Sequence, residues 1–226
     1  MVNEVATERE TTVVASAAAC RLSSAVLHTI QTLEYHDEIP STSDRVKELL
    51  QQPVKPSLPC LVIAKRQTAG RGRGNKRWWS GEGAILMSLG FELLPEFLDR
   101  DQLPTLSVAT GQAVIRVLTR YLPQHKLEVH LPNDVYVDGK KICGILLESP
   151  TPQYAILGIG LNVNNRLSDI PPEFADDLAS RSITSMFELL GRETDIARLI
   201  DELLEELRYN KMHVPLFLGT VFAVSF

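Results

Sequence analysis

The sequence predicts an α+β protein, a mixed β-sheet with flanking helices, and three observations predict it. Short apolar runs of strand length alternate along the chain with amphipathic stretches of helical period. An Asp138-Gly139 pair sits between two β-rich runs, the strongest local signal for a two-residue hairpin. At 226 residues the chain is long enough for one sizeable core, and neither an internal repeat nor a composition break divides it.

The elements follow in order. Residues 1–18 are expected to form a flexible N-terminus. Residues 13–20 faintly resemble a lipoprotein cleavage box, but Glu4, Glu8 and Glu10 stand where a signal peptide carries positive charge. Residues 19–30 place Leu22, Val26, Leu27 and Ile30 at helical spacing, and 32–39 reads as extended. Ser41 or Thr42 is well placed to cap a second amphipathic helix through Val46, Leu49 and Leu50. The N–H and hydroxyl groups at that helix start could also bind a polar ligand. A connector with Pro53 and Pro56 leads to buried strands at 59–64 and 83–91. Residues 103–122 read as a long packed helix, and 127–131 as a short strand stopped by Pro132. The Asp138-Gly139 hairpin then returns Asn133-Asp134 beside Lys141. After a loop at 149–152, residues 154–164 form a core strand whose interior Gly158 and Gly160 suggest close approach of a ligand or another backbone. Helices at 183–190 and 195–209 follow, with Gly191 as a C-cap between them.

The chemistry concentrates between the two buried strands. Six cations fall between Lys65 and Arg77 in a chain of formal charge −5, which becomes −11 without them. Alternate Gly70, Gly72 and Gly74 let backbone N–H groups approach an anion, and Arg71 and Arg73 add planar forks suited to phosphate or carboxylate. A flexible RNA-binding Gly/Arg segment is the competing reading, but the flanking strands hold both ends of this loop. The pattern is neither G-x-G-x-x-G nor G-x-x-x-x-G-K-[ST].

Composition narrows the field. A pI near 5.6 argues against general nucleic-acid affinity. Cys20, Cys60 and Cys143 are scattered singly, without metal-ligand spacing, and no apolar run is long enough to cross a bilayer. A reduced cytoplasmic protein is the simplest expectation. Lys141 opens an otherwise apolar run, where it either snorkels to solvent or meets an anion. From residues alone, a Gly/Arg cradle, this lysine and a candidate Asp base suit phosphoryl or nucleotidyl transfer.

Gln67-Thr68-Ala69-Gly70-Arg71-Gly72-Arg73 with Trp78 and Ser80 forms the first of three blocks. Pro132-Asn133-Asp134 with the Lys141-to-Leu146 run forms the second, and Gly158-Ile159-Gly160-Leu161-Asn162 the third. In order and spacing, these resemble the three signatures of biotin protein ligases. Ser41-Thr42-Ser43 is similar to the family's Ser-Thr-Asn entry to its first catalytic helix. The resemblance covers residues 32–207 and implies a catalytic domain over 19–212, of a fold related to class II aminoacyl-tRNA synthetases.

It implies a reaction in which biotin and ATP give biotinoyl-AMP and pyrophosphate. A lysine of a biotin carboxyl carrier protein domain then attacks the adenylate. By the resemblance, Ser41, Thr42, Gln67, Gly70, Arg71, Gly144 and Gly158 would line the biotin site. Arg71, Arg73, Trp78, Asn133, Lys141 and Asn162 would hold ATP or the adenylate, with Lys141, Asp134 and Arg73 catalytic and Asp134 taking the proton of the incoming lysine. Mg²⁺ would come with ATP, with no protein metal site. A related lipoyl or octanoyl transferase, or a non-catalytic biotin- or nucleotide-binding relative, are the alternatives.

His130-Leu131 stands where the family has Lys-Trp, and Ser43 replaces Asn. Residues 213–226 are expected to be a short tail, with no room for the family's C-terminal β-barrel. No winged-helix region precedes the domain, so no DNA-binding role is expected. The resemblance suggests a monomer or homodimer without membrane attachment.

Overall fold

In the computed structural model, residues 12–14, 22–74, 76–93, 103–172, 174 and 182–209 are described. They comprise β1 (Thr12–Val14), α1 (Ser24–Leu27), β2 (Thr32–Ile39), α2 (Thr42–Gln51), β3 (Cys60–Gln67), β4 (Ile85–Glu92) and α3 (Leu103–Tyr121). These are followed by β5 (Leu127–His130), β6 (Asp134–Val137), β7 (Lys140–Thr151), β8 (Tyr154–Leu161), α4 (Met186–Leu190) and α5 (Ile196–Tyr209). The strands form one mixed sheet in the order β1-β2-β3-β4-β8-β7-β6-β5. Pairing is parallel between β1, β2 and β3 and antiparallel elsewhere.

Strand alternation divides the core. On one face Cys60, Val62 and Ile156 pack under Val46, Leu49 and Leu50 of α2. Leu61, Ile63, Leu89 and Leu157 belong to the larger cluster, which includes Val114, Val117 and Leu118 of α3 and Leu199 and Leu203 of α5. The α2 face is only partly covered, because α2 packs on β3, β4 and β8. The rest of that face, over β8, β7 and β6, is where the cleft lies.

Local chemistry explains the hinges of this arrangement. Ser41 Oγ accepts from Asp44 N at 3.3 Å and starts α2. Asp138 and Gly139 have φ of 49° and 76°, the positive pair that a tight hairpin between β6 and β7 requires. Gly191 ends α4 in the left-handed region at φ 66°.

Four expectations are corrected. Within the segment expected to be a flexible terminus, Thr12–Val14 pairs with β2 as an edge strand. The first helix is one turn, capped by Ser23, and residues 15–21 lie outside the described residues. β3 runs on through Lys65 and Arg66, so two of the six cations sit on a strand rather than a loop. β7 continues through Ser149 and Pro150, expected as a loop, and a register shift between Glu148 and Thr151 accommodates the proline. The tail at 213–226 falls outside the described residues. Among those described, no helix is long and apolar enough to cross a membrane.

Candidate active site

Sheet register puts small residues in a row. Ser88 on β4 pairs with Gly158 on β8, and Gly158 with Leu146 on β7. One step along, Gly160 pairs with Gly144, and Gly144 with Asp134 on β6. Above these rows is a cleft of about 530 Å³, walled by the start of α2, by the 70–78 loop and by the Leu131–Asp134 turn.

One end of the cleft is a chain of buried hydrogen-bonding groups. Thr42 N and Thr42 Oγ1 donate to Gln67 Oε1 at 2.7 and 3.1 Å. Ser88 Oγ lies 2.8 Å from Thr42 Oγ1 and 2.9 Å from Ser43 Oγ. The sheet then provides a floor for an aromatic wall. A Cβ on Gly160 would come within 2.5 Å of the Trp78 indole, and one on Gly144 within 2.8 Å. The indole Nε1–H is buried against this floor with no hydrogen-bond partner among the described residues.

Beyond Trp78 lies the charged end. Lys141 Nζ is 2.7 Å from Asp134 Oδ1 and 5.6 Å from the Trp78 ring centroid. The lysine is placed by its backbone: Lys141 N donates to Ser182 O, and Thr184 N donates to Lys141 O, both at 2.9 Å. On the other side, Asn133 Nδ2 donates to Ile145 O at 2.7 Å and Ile145 N to Asn133 O at 2.8 Å, stapling the turn that carries Asp134 onto β7. Next to Lys141 and inside the core, burial pushes the Cys143 thiol up to about 12, as it does that of Cys60. Neither is a nucleophile at neutral pH.

The six cations separate into three groups. Lys65 and Arg66 pair with Asp37 and Glu38 of β2 on the exposed sheet surface. Arg71 is held by Glu148 and Asp44. Arg73, Lys76 and Arg77 line the cleft and have no carboxylate partner among the described residues, and Arg77 rests on the Phe174 ring.

Most of the expected site residues share this cleft: Ser41, Thr42, Gln67, Arg71, Arg73, Trp78, Asn133, Asp134, Lys141, Gly144 and Gly158. Arg71 and Lys141 therefore border one cavity. Two of the expected residues stand outside the lining. Gly70 is one; its carbonyl accepts from Trp78 N at 2.9 Å and closes the base of the loop. Asn162 is only 3% exposed and lies outside the lining, with Nδ2 donating to Thr184 O and Oδ1 accepting from Asn165. It secures the strand segment that grips Lys141.

The profile described as the biotin/lipoate A/B protein ligase family matches residues 35–162, more than half of the chain. The chain belongs to that family. It is 33% identical over 179 residues to the bifunctional ligase/repressor BirA of Bacillus subtilis, covering 77% of this chain and 52% of that protein. It is likewise 33% identical over 150 residues to the biotin--[acetyl-CoA-carboxylase] ligase of Mycobacterium tuberculosis, covering 65% and 52%. Among solved structures, the biotin protein ligase from Aquifex aeolicus in complex with biotin and ATP aligns with a TM-score of 0.62 at 30% identity, over 78% of this chain and 68% of that one. The chain spans about half the length of the curated relatives it matches.

As a biotin/lipoate ligase domain, the chain has the mixed sheet of the class II synthetase-like fold, and its departures from the family pattern fall at the cleft rim and at its buried polar end. His130 stacks on Tyr136 at 3.8 Å and 14°, while Leu131 stands 75% exposed at the rim. Ser43, in place of Asn, joins the hydroxyl chain through Ser88. Ser88 and Gly160 line the cleft although neither carries a role in the sequence-based assignment, and the same holds for Lys76, Arg77 and Met87. The strand glycines were a signal for Gly160, but a lone serine in an apolar run gave none for Ser88.

Proposed function

We propose that this domain is an ATP-dependent biotin–protein ligase. The observation that carries the reading is the hydrogen-bonded Gln67–Thr42–Ser88–Ser43 chain, joined to Lys141 by a floor of glycines within one cleft. A cyclic urea offers both N–H donors and a carbonyl acceptor to such a chain. An alkyl tail or dithiolane would leave those hydroxyls facing apolar atoms, a mismatch costing orders of magnitude in selectivity. This favours biotin over lipoate or octanoate.

With the ring at the polar end, the biotin carboxylate would reach toward Lys141. Carboxylate oxygen attacks the α-phosphorus, the bond to the β-phosphate bridging oxygen breaks, and pyrophosphate leaves. Lys141 offsets the charge that builds on the α-phosphate and carboxylate, while Arg73, Lys76 and Arg77 supply positive charge for the triphosphate. Trp78 walls the anhydride and excludes water. Mg²⁺ enters as part of the nucleotide substrate. In the second step a carrier lysine attacks the acyl carbon and AMP departs, with Asp134 as acceptor of the ammonium proton. The partner is a biotin carboxyl carrier domain.

Intact-mass analysis of such a domain incubated with the protein, biotin and ATP tests the reading. One biotinyl adduct that requires ATP and the acceptor lysine is expected. An unmodified carrier, or modification by lipoate in place of biotin, would overturn it.

A further inference from the structure

The Arg71 guanidinium is engaged by two carboxylates of the chain itself. Its Nε donates to Asp44 Oδ2 at 3.2 Å, Nη1 to Glu148 Oε1 at 2.9 Å and Nη2 to Glu148 Oε2 at 2.7 Å, and Nη2 also lies 2.9 Å from Asp44 Oδ1. A guanidinium has five N–H donors in a fixed fork, and here all three nitrogens point at carboxylates. One cation between two carboxylates leaves a local charge of −1, which repels a phosphate or carboxylate. The two acids come from separate elements, Asp44 from the first turn of α2 and Glu148 from β7.

The backbone shows what this anchoring controls. Arg71 is bridged to Arg77, Gly72 N donates to Lys76 O at 2.7 Å, and Trp78 N donates to Gly70 O at 2.9 Å. Residues 70–78 thus form a small hairpin with Arg71 at its base and Arg73 and Lys76 toward its tip. Fixing Arg71 fixes the position of Arg77 and of the Trp78 wall.

Building on the biotin-ligase reading, we propose that Glu148 and Asp44 are positioning residues that lock Arg71 as the anchor post of this hairpin, and that the post retains the acyl-adenylate by keeping the hairpin closed. The Arg71 side chain is then a structural tie, and the tip cations are the ones that meet the nucleotide. Neither carboxylate touches the substrates.

The test uses the full chain and the variants Glu148→Gln, Asp44→Asn and Arg71→Lys, each checked by thermal melting. Trypsin cleavage within the ligand-free hairpin, at Arg73 or Lys76, reads the tether without any activity. Loss of one charge-assisted arm is expected to speed it about tenfold, the equivalent of about 1.4 kcal/mol. With biotin and ATP, Glu148→Gln and Asp44→Asn should release free biotinoyl-AMP about tenfold faster while first-turnover pyrophosphate formation is retained. Arg71→Lys should match them in protease sensitivity and in the rate of adenylate release, because one ammonium cannot fork to two acids. Wild-type protease resistance in both Glu148→Gln and Asp44→Asn, or wild-type adenylate retention in Arg71→Lys, would overturn the proposal. Should Glu148→Gln fail to fold, Asp44→Asn alone decides. A wild-type protein that makes no pyrophosphate from biotin would sink the ligase reading instead, and the cleavage result would still judge the tether.

Discussion

Lys141 Nζ and Asp134 Oδ1 stand 2.7 Å apart at the inner edge of the cleft, on adjacent strands of a hairpin whose register shifts between Val135 and Tyr136. Lys141 is 14% exposed and Asp134 25%, so water screens the pair only in part. The two proposed catalytic groups thus neutralise each other until an anionic substrate arrives.

This pairing separates the two half-reactions. Lys141→Ala is expected to lower biotin-dependent pyrophosphate formation by about 10²–10³, the range for loss of one charge-stabilising donor. Asp134→Asn should keep adenylate formation and lower transfer to the carrier by about 10²–10⁴. Rapid-quench analysis of adenylate and biotinylated carrier resolves them. Equal loss of both steps in Asp134→Asn would reject its assignment as proton acceptor.

Gly160→Ala places a methyl group where the Trp78 indole lies, at 2.5 Å from its nearest carbon. The ring must move off the floor. Biotin affinity by calorimetry is expected to fall at least tenfold while the melting temperature changes little, because the displaced ring borders a cleft rather than the core. Unchanged affinity would show that the Trp78 wall does not shape the acid site.

Arg73 lines the cleft and has no carboxylate partner among the described residues, which leaves its charge for the proposed nucleotide substrate. Arg73→Gly should release biotinoyl-AMP faster, by about tenfold for one charge-assisted contact, and label bystander lysines in a mixed lysate. A wild-type adenylate lifetime would remove Arg73 from the site.

Away from the cleft, Glu34 is 3% exposed on β2 and accepts from Arg45 Nε and Nη2 at 2.8 and 2.9 Å, with His36 Nε2 at 3.0 Å. Burial raises its pKa, but Arg45 and His36 outweigh that and hold it below the ordinary glutamate range. A lowered carboxylate pKa adds stability that is fully present above the unfolded value, about 4.3, and is lost as pH falls through the folded value. Glu34→Gln should therefore cost about 2 kcal/mol at pH 7, with the deficit shrinking below about pH 4. Urea unfolding at pH 7 and pH 3.5 measures both, and a pH-independent deficit would reject the linkage.

What was legible in the sequence is what neighbours in the chain decide. The Asp138-Gly139 hairpin, the Ser41 cap and the Gly158/Gly160 floor each follow from a few adjacent residues, and all three place site groups. The rest depends on partners far along the chain. Six clustered cations looked like one anion cradle, but Lys65 and Arg66 are neutralised from β2 and Arg71 from α2 and β7. Asn162 ends its strand with an amide, but only the tertiary fold shows that amide turned to Thr184. Parallel pairing of Thr12–Val14 with β2 has no local signature at all.

The central claim is that a polar-ended cleft activates biotin on Lys141. ATP/pyrophosphate exchange, run with biotin, lipoate and octanoate side by side on the wild-type chain and on Ser88→Ala, tests it most directly. Exchange with biotin alone, reduced in Ser88→Ala, is the predicted result. Exchange driven equally by octanoate, or biotin-driven exchange indifferent to Ser88, would contradict it.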